Sequence, residues 1–163
     1  MMTIINDFSR KVWFYFLRHK NETFPTFKKW KTLVETQTRK KVKKLRTDNG
    51  LEFCSGDFNE LCTNHGIDRH KTIPRNPQQN GVAKRMNMTL FERARCMLSN
   101  VGLWHQHDLW TEAASTACYL VNCSPHSALD FKVLEEIWSN NHVDYSNLKF
   151  FECPAYDILI RAN

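Results

Sequence analysis

Asp48 is the acidic residue whose neighbours best equip it to do chemistry. In Leu45-Arg46-Thr47-Asp48-Asn49-Gly50 an alternating stretch ends on a carboxylate, and the glycine lets the chain turn and leave that acid exposed. An exposed carboxylate at a strand end can serve a site; an Asp-Asn-Gly turn that simply closes a strand is the plainer alternative. A second constellation lies in Pro77-Gln78-Gln79-Asn80-Gly81-Val82-Ala83-Lys84-Arg85-Met86-Asn87. There the amides of Gln78, Gln79 and Asn80 lead into a helix bearing Arg85, Asn87, Arg93 and Arg95. Groups of these types suit phosphate contact, and equally an ordinary solvated helix face. His105 and His107 form an H-x-H pair with no third ligand in view, and His65 and His70 lack partners at useful spacing. The six cysteines (54, 62, 96, 118, 123, 153) show neither a CxxC pair nor zinc-ligand spacing. They read as reduced, mostly buried thiols of an intracellular protein.

The net charge of +6 is unevenly placed: residues 1–50 carry +9 and residues 51–163 carry −3. Clustered basicity attracts a polyanion and supplies sequence-independent affinity for nucleic acid. A solvated helix face and an edge strand studded with lysine would look similar. No apolar run approaches a membrane span, and Met1 to Asp7 is too short and too soon polar for a signal peptide. At 163 residues the chain has the length of one domain with a real core.

The elements that must position these residues follow from periodicity. Met2 to Asn6 and Val12 to Leu17 read as a hairpin joined by Asp7-Phe8-Ser9-Arg10. Asn21-Glu22-Thr23 caps a helix to about Thr38, with Phe24, Phe27, Trp30, Leu33 and Val34 at helical spacing. Lys41 to Thr47 is a strand that delivers Asp48 to its carboxyl end. A short helix from about Asp57 to Asn64 stops at Gly66, and Ile67 to Ile73 is another strand. After a loop from Pro74 to Gln79, a long helix spans about Gly81 to Asn100 with a core stripe of Val82, Met86, Leu90, Ala94, Met97 and Val101. A second long helix spans about Asp108 to Asn122 and stops at Ser124-Pro125. The last forty residues are irregular, with a short helix near Leu134 to Ser139. Trp104, Trp110 and Trp138 read as packing residues. This order is an α/β layered domain.

The segments around Asp48 and Lys84 closely resemble the second and third catalytic segments of retroviral-type integrase cores, in the copia branch of long-terminal-repeat retrotransposons. The resemblance extends over Ile5-Asn6-Asp7-Phe8-Ser9-Arg10, Arg93-Ala94-Arg95-Cys96-Met97-Leu98, Val143-Asp144-Tyr145-Ser146-Asn147-Leu148 and Cys153-Pro154-Ala155-Tyr156. It implies a ribonuclease-H-like fold and an ancestral role in DNA integration. The integrase-core-like domain would cover 1–125, with an extension over 126–163. The partner would be DNA, as a weak or ancestral contact, and the location intracellular, nuclear if DNA binding is retained, with no membrane association.

The chemistry implied is in-line displacement at phosphorus assisted by two Mg²⁺ ions held by three carboxylates. Asp48 matches the second of these. Lys84 stands where the family carries a metal-binding glutamate. A unit charge about 4 Å away contributes roughly 4 kcal/mol at an effective dielectric of 20, and a divalent ion would feel about twice that. Lysine removes this attraction, and in the first turn of a helix it also opposes the helix dipole. Glu92 lies eight residues further along, about 12 Å up the axis, and Glu52 matches a common non-catalytic position; neither replaces the lost ligand.

By the same resemblance the first aspartate lies on a strand preceding Met1, so the first, central strand of the sheet is missing. Asp7 falls at the hairpin turn and reads as a turn residue. Two strand edges are then left open. Either they pair with each other, or another chain supplies a strand and an oligomer forms, or the domain is marginal. Relatives usually carry arginine at the position of Met88, on the stripe Lys84, Met88, Phe91, Arg95. The expectation is an integrase-derived protein that retains nucleic-acid contacts and has lost catalysis, with impaired Mg²⁺ binding. The alternative is an active polynucleotidyl transferase completed by upstream sequence or a partner subunit.

Overall fold

The computed structural model describes residues 1–72, 80–103, 105, 109–146 and 148–151. Its strands are β1 (Met2–Ile5), β2 (Val12–Tyr15), β3 (Lys44–Thr47), β4 (Asp68–Lys71), β5 (Pro125–His126) and β6 (Lys132–Val133). Its helices are α1 (Thr23–Thr38), α2 (Gly56–Asn64), α3 (Gly81–Asn100), α4 (Leu109–Asn122) and α5 (Leu134–Ser139). The strands pair as three two-stranded sheets: β1 with β2 antiparallel, β3 with β4 parallel, β5 with β6 antiparallel. Among the described residues β1 and β3 do not pair with each other, so the first of the three expectations for the open edges is not met.

The chain divides into two compact units: Met1–Asn6 with Val12–Leu90, and Asp7–Lys11 with Phe91–Asn163. In the first, an aromatic cluster forms the core. Phe58 of α2 meets Phe27 at 5.0 Å, Phe24 at 5.7 Å and Phe53 at 5.6 Å between ring centroids, while Trp30 meets Trp13 and Phe27 at 5.5 Å each. The Trp13–Trp30, Phe24–Phe58 and Phe53–Phe58 pairs are edge-on, and such pairs add about 0.5–1.5 kcal/mol each beyond the area they bury. The Arg69 guanidinium lies 5.0 Å from the centre of the Phe58 ring and donates to the Phe53 carbonyl and to Asn59 Oδ1, both at 2.6 Å. This ties β4 to α2.

The second unit is packed with small residues. Ala113, Ala114, Ala117, Cys118 and Val121 are buried on α4, Ala94 and Leu98 on α3, and Leu134 on α5. Its hairpin-turn segment is anchored by Lys11, whose Nζ sits 2.7 Å from Glu135 Oε1 and 5.5 Å from the Trp138 ring centre. Asp7 is a turn residue, as expected, accepting from Arg10 at 3.0 Å with its side chain in solvent.

Several details depart from the sequence reading. The α1 cap is not formed by a side chain. A 3₁₀ turn over Lys20–Glu22 runs directly into the helix, so Glu22 already has helical backbone angles, and its carboxylate instead accepts from the Arg18 N–H. Leu33 and Val82 are exposed. The buried seam of α3 keeps strict four-residue spacing, Met86, Leu90, Ala94, Leu98, which displaces Met97 and Val101 to half-buried positions. Of the described cysteines, Cys62, Cys118 and Cys123 are buried and Cys54 and Cys96 are exposed; all five are free thiols. Burial pushes the Cys62 and Cys123 thiols up, away from the reactive thiolate.

Candidate metal and nucleic-acid site

Asp48 leaves β3 at the end of a parallel pair whose last register position is Thr47 opposite Lys71. The ladder is extended by the Thr72 N–H donating to the Thr47 carbonyl at 3.0 Å. Asn49 Nδ2 then donates to the Thr72 carbonyl at 2.7 Å, clamping the turn onto the end of β4. Asp48 Oδ1 accepts from the Gly50 N–H at 3.1 Å, forming an Asx turn. The side chain is exposed, and its second oxygen is left for solvent or a ligand. The local sequence thus does what its composition suggests: it ends a strand and shows one carboxylate to solvent.

Gly50 has a second role. A Cβ there would lie 2.8 Å from Glu52 Cδ and 2.9 Å from both its carboxylate oxygens. The flexible end of Glu52 folds back over Gly50 and would have to shift aside for a larger residue there, so Asp48 and Glu52 flank the same backbone position. Glu52 begins no third contact to a metal-binding set. Among the described residues, no group of three or more His, Cys, Asp or Glu side chains is arranged to hold a metal ion.

On α3, Lys84 is exposed in the first turn. Arg85 is exposed, with its guanidinium Nη2 3.7 Å from where a Gly81 Cβ would stand, so it lies back over the start of the helix. Asn80 is half-buried just before the helix. Asn87 Oδ1 is buried without a hydrogen-bond partner, which turns that end of its amide away from solvent. Arg95, further along α3, is exposed, as are Met88 and Phe91. Gln78 and Gln79 lie outside the described residues, as does His107. Asp48, Asn80, Lys84, Arg85 and Asn87 belong to the first unit, and Arg95 to the second.

Residues 1–77 match the family model described as integrase core domain. The chain is 48% identical over 155 residues to the retrovirus-related Pol polyprotein from transposon TNT 1-94 of Nicotiana tabacum, a match covering 95% of this chain and 12% of that protein. The chain belongs to the integrase core family. Two solved structures carry the same fold. The HTLV-2 integrase catalytic core domain in complex with magnesium aligns with a TM-score of 0.62 at 21% identity, covering 82% of this chain and 80% of that one. A chain of the simian T-cell lymphotropic virus intasome in complex with PP2A regulatory subunit B56 gamma aligns at 0.66 and 18% identity, covering 99% of this chain and 51% of that one. The fold is therefore the ribonuclease-H-like integrase core, and the chain spans about an eighth of the length of its tobacco relative.

An integrase core implies magnesium, and the donor set tests it. Magnesium takes near-octahedral oxygen coordination with one or two carboxylates fixing each ion. The described residues offer the free oxygen of Asp48, a Glu52 carboxylate folded against Gly50, and the Lys84 ammonium. That set does not fit a magnesium pair.

Proposed function

We propose that this chain is an integrase-core module of copia-type retrotransposon origin that has lost strand transfer and retains sequence-independent contact with DNA, a role exercised in the nucleus. The observation that carries this reading is Lys84: a cation stands in the first turn of α3, where metal-dependent chemistry calls for a carboxylate, and among the described residues Asp48 belongs to no metal-binding group. Arg85 and Arg95, both exposed, supply the phosphate contacts, together with Asn80 and the neighbouring Gln78 and Gln79. Strand-transfer assays with Mg²⁺ on a short DNA end should give no joined product from the purified chain. Joined product at rates above a no-protein control would sink the reading.

A second reading has an observation in its favour. Among the described residues β1 and β3 each pair on one side alone, and each carries a buried hydroxyl with no hydrogen-bond partner there, Thr3 Oγ1 and Thr47 Oγ1. Buried polar groups and strand edges are normally satisfied. A strand from upstream sequence of a longer polypeptide, or from a partner subunit, would satisfy them and bring a further carboxylate. On this reading the longer polypeptide is a polynucleotidyl transferase, and a second copy pairing at the open edges gives an oligomer. The two separate cleanly: extending the chain upstream with Lys84 retained restores Mg²⁺-dependent joining only under the second reading. Under the first, recovery requires both the upstream strand and Lys84→Glu.

A further inference from the structure

Six of the eight residues from Arg39 to Arg46 are basic, and none is acidic. We infer that Arg39, Lys40, Lys41, Lys43, Lys44 and Arg46, with the His70 imidazole beside Arg46, form a binding strip for the phosphodiester backbone of a nucleic acid, on elements other than α3. The inference stands whether or not strand transfer survives.

The strip is mounted on a pinned backbone. The Lys40 N–H donates to Thr38 Oγ1 at 3.2 Å, the Val42 N–H to Glu35 Oε1 at 2.9 Å, and the Asp68 N–H to the Lys43 carbonyl at 2.8 Å. Arg39 takes the left-handed conformation (φ 54°) that ends α1 and turns the chain into the strip. Beyond this segment, β3 and β4 run parallel with Lys44 opposite Asp68 and Arg46 opposite His70. Register partners share a sheet face, and all four of these are exposed, whereas Leu45, Thr47 and Arg69 on the other face are buried or half-buried. Same-face residues stand about 6.6 Å apart along a strand and about 4.8 Å across to its neighbour. Lys44 and Arg46 therefore stand on one exposed face beside His70, continuing the basic run that begins at Arg39.

Compensating charge is scarce. Glu35, four residues before the strip, is committed: its Oε2 holds Lys31 Nζ at 2.8 Å and its Oε1 holds the Val42 N–H. Asp48, two residues beyond Arg46, has one carboxylate oxygen engaged in its own turn with the Gly50 N–H. Among the described residues no carboxylate forms an ion pair with any of the six cations. Asp68 is the acid on the same face. Lysine on an exposed edge strand guards against aggregation, but that purpose is met by one or two residues on the strand. It does not account for Arg39, Lys40, Lys41 and Lys43, which precede β3. Six like charges on a rigid support repel one another, and a partner with closely repeated negative charge relieves that repulsion.

The composition also selects the class of partner. Protein interfaces are built around buried apolar or aromatic anchors. Here the two apolar residues, Val42 and Leu45, are half-buried rather than presented. Single-strand platforms that read bases need aromatic side chains for stacking, and the strip has none. What remains is contact with backbone phosphate, indifferent to sequence.

Anisotropy titrations of the full chain against labelled mixed-sequence duplex, repeated across salt concentrations, test this. Replacing Lys40, Lys41 and Lys43 together by serine should weaken binding by about 10–100-fold at low salt and flatten the log–log salt slope by about 2.7, three phosphate contacts on B-form DNA. The same three positions changed to arginine should keep both slope and affinity. Binding unchanged in the serine variant overturns the inference, as does loss of binding in the arginine variant. If the serine variant fails to fold by circular dichroism, Arg46→Gln decides, with a slope reduction near 0.9 expected and no reduction fatal. Poly-glutamate at matched charge should compete poorly; equal competition would reassign the strip to an acidic protein. Loss of all binding in Arg85→Gln with none in the serine variant would locate the contact on α3 instead.

Discussion

The two ends of β3 are built alike and charged oppositely. At its start, three backbone hydrogen bonds hold a run of cations in place. At its end, three more, Thr72 to Thr47, Asn49 to Thr72 and Gly50 to Asp48, hold one carboxylate. The scaffolding at the acidic end holds its carboxylate in place, and among the described residues no further carboxylates gather with it into a metal-binding group. Positioning does not depend on the ligand set here, because the same clamps also close the β3–β4 pair.

Breaking the basic end should have the largest effect. Glu35→Ala leaves Lys31, 5% exposed, without its partner and releases the Val42 N–H. Hydrogen bonds to charged groups are worth about 1.5–3 kcal/mol, so a loss of about 2–3 kcal/mol is expected, read from the urea midpoint. The DNA affinity of the strip should fall with it. The same carboxylate sets an acid limit. Burial raises the Glu35 pKa, but the hydrogen bonds from Lys31 and the Val42 N–H outweigh that and hold it below the usual carboxylate value. A depressed folded-state pKa gives stability that is full above the unfolded carboxylate range and is lost as pH falls through the folded value. Stability should therefore decline below about pH 4.5 in the native chain, and this part of the acid limb should vanish in Glu35→Gln. A limb of identical shape in both proteins would show that the clip carries no charge-dependent stability.

The acidic end should be less costly to disturb. Asn49→Ala removes one part-buried clamp, for about 1 kcal/mol, and hydrogen exchange at the end of β4 should quicken. Lys84→Glu should go the other way. An acid in the first turn of α3 complements the helix dipole, so the variant should be about 0.5 kcal/mol more stable at low ionic strength, with no shift in melting temperature on adding Mg²⁺. A magnesium-dependent rise from this single change would mean that Asp48 and residue 84 suffice as ligands.

Much of the scaffold was legible in the sequence. Helix-period patterns with clear stops gave α3 and α5 at their observed bounds, and α1, α2 and α4 within a residue or two. Strands were read long by one to three residues, because alternation continues past the last paired position. The Asp48 turn was legible because Asn and Gly report local backbone geometry. Burial depth was not. Periodicity says which face is apolar but not what covers it, so Leu33 and Val82 were assigned to the core and are exposed. Lys31 was the reverse case, since a lysine reads as solvent-facing; its signal was Glu35 one helical turn on. Glu52 folding onto Gly50 depends on a contact that no spacing rule encodes. The boundary between units falls inside the unbroken helix α3, where no change of composition marks it.

Lys11 meets Glu135 across 124 residues of sequence. A ribosome delivers the hairpin turn early and α5 late, so the turn must wait for most of the chain before its anchor exists. Closing so long a loop makes this a slow, late contact compared with the local pairing of β1 and β2. The tip of the first hairpin is then among the last parts of the molecule to be fixed, and fragments ending before α5 carry a hairpin turn without its Glu135 anchor.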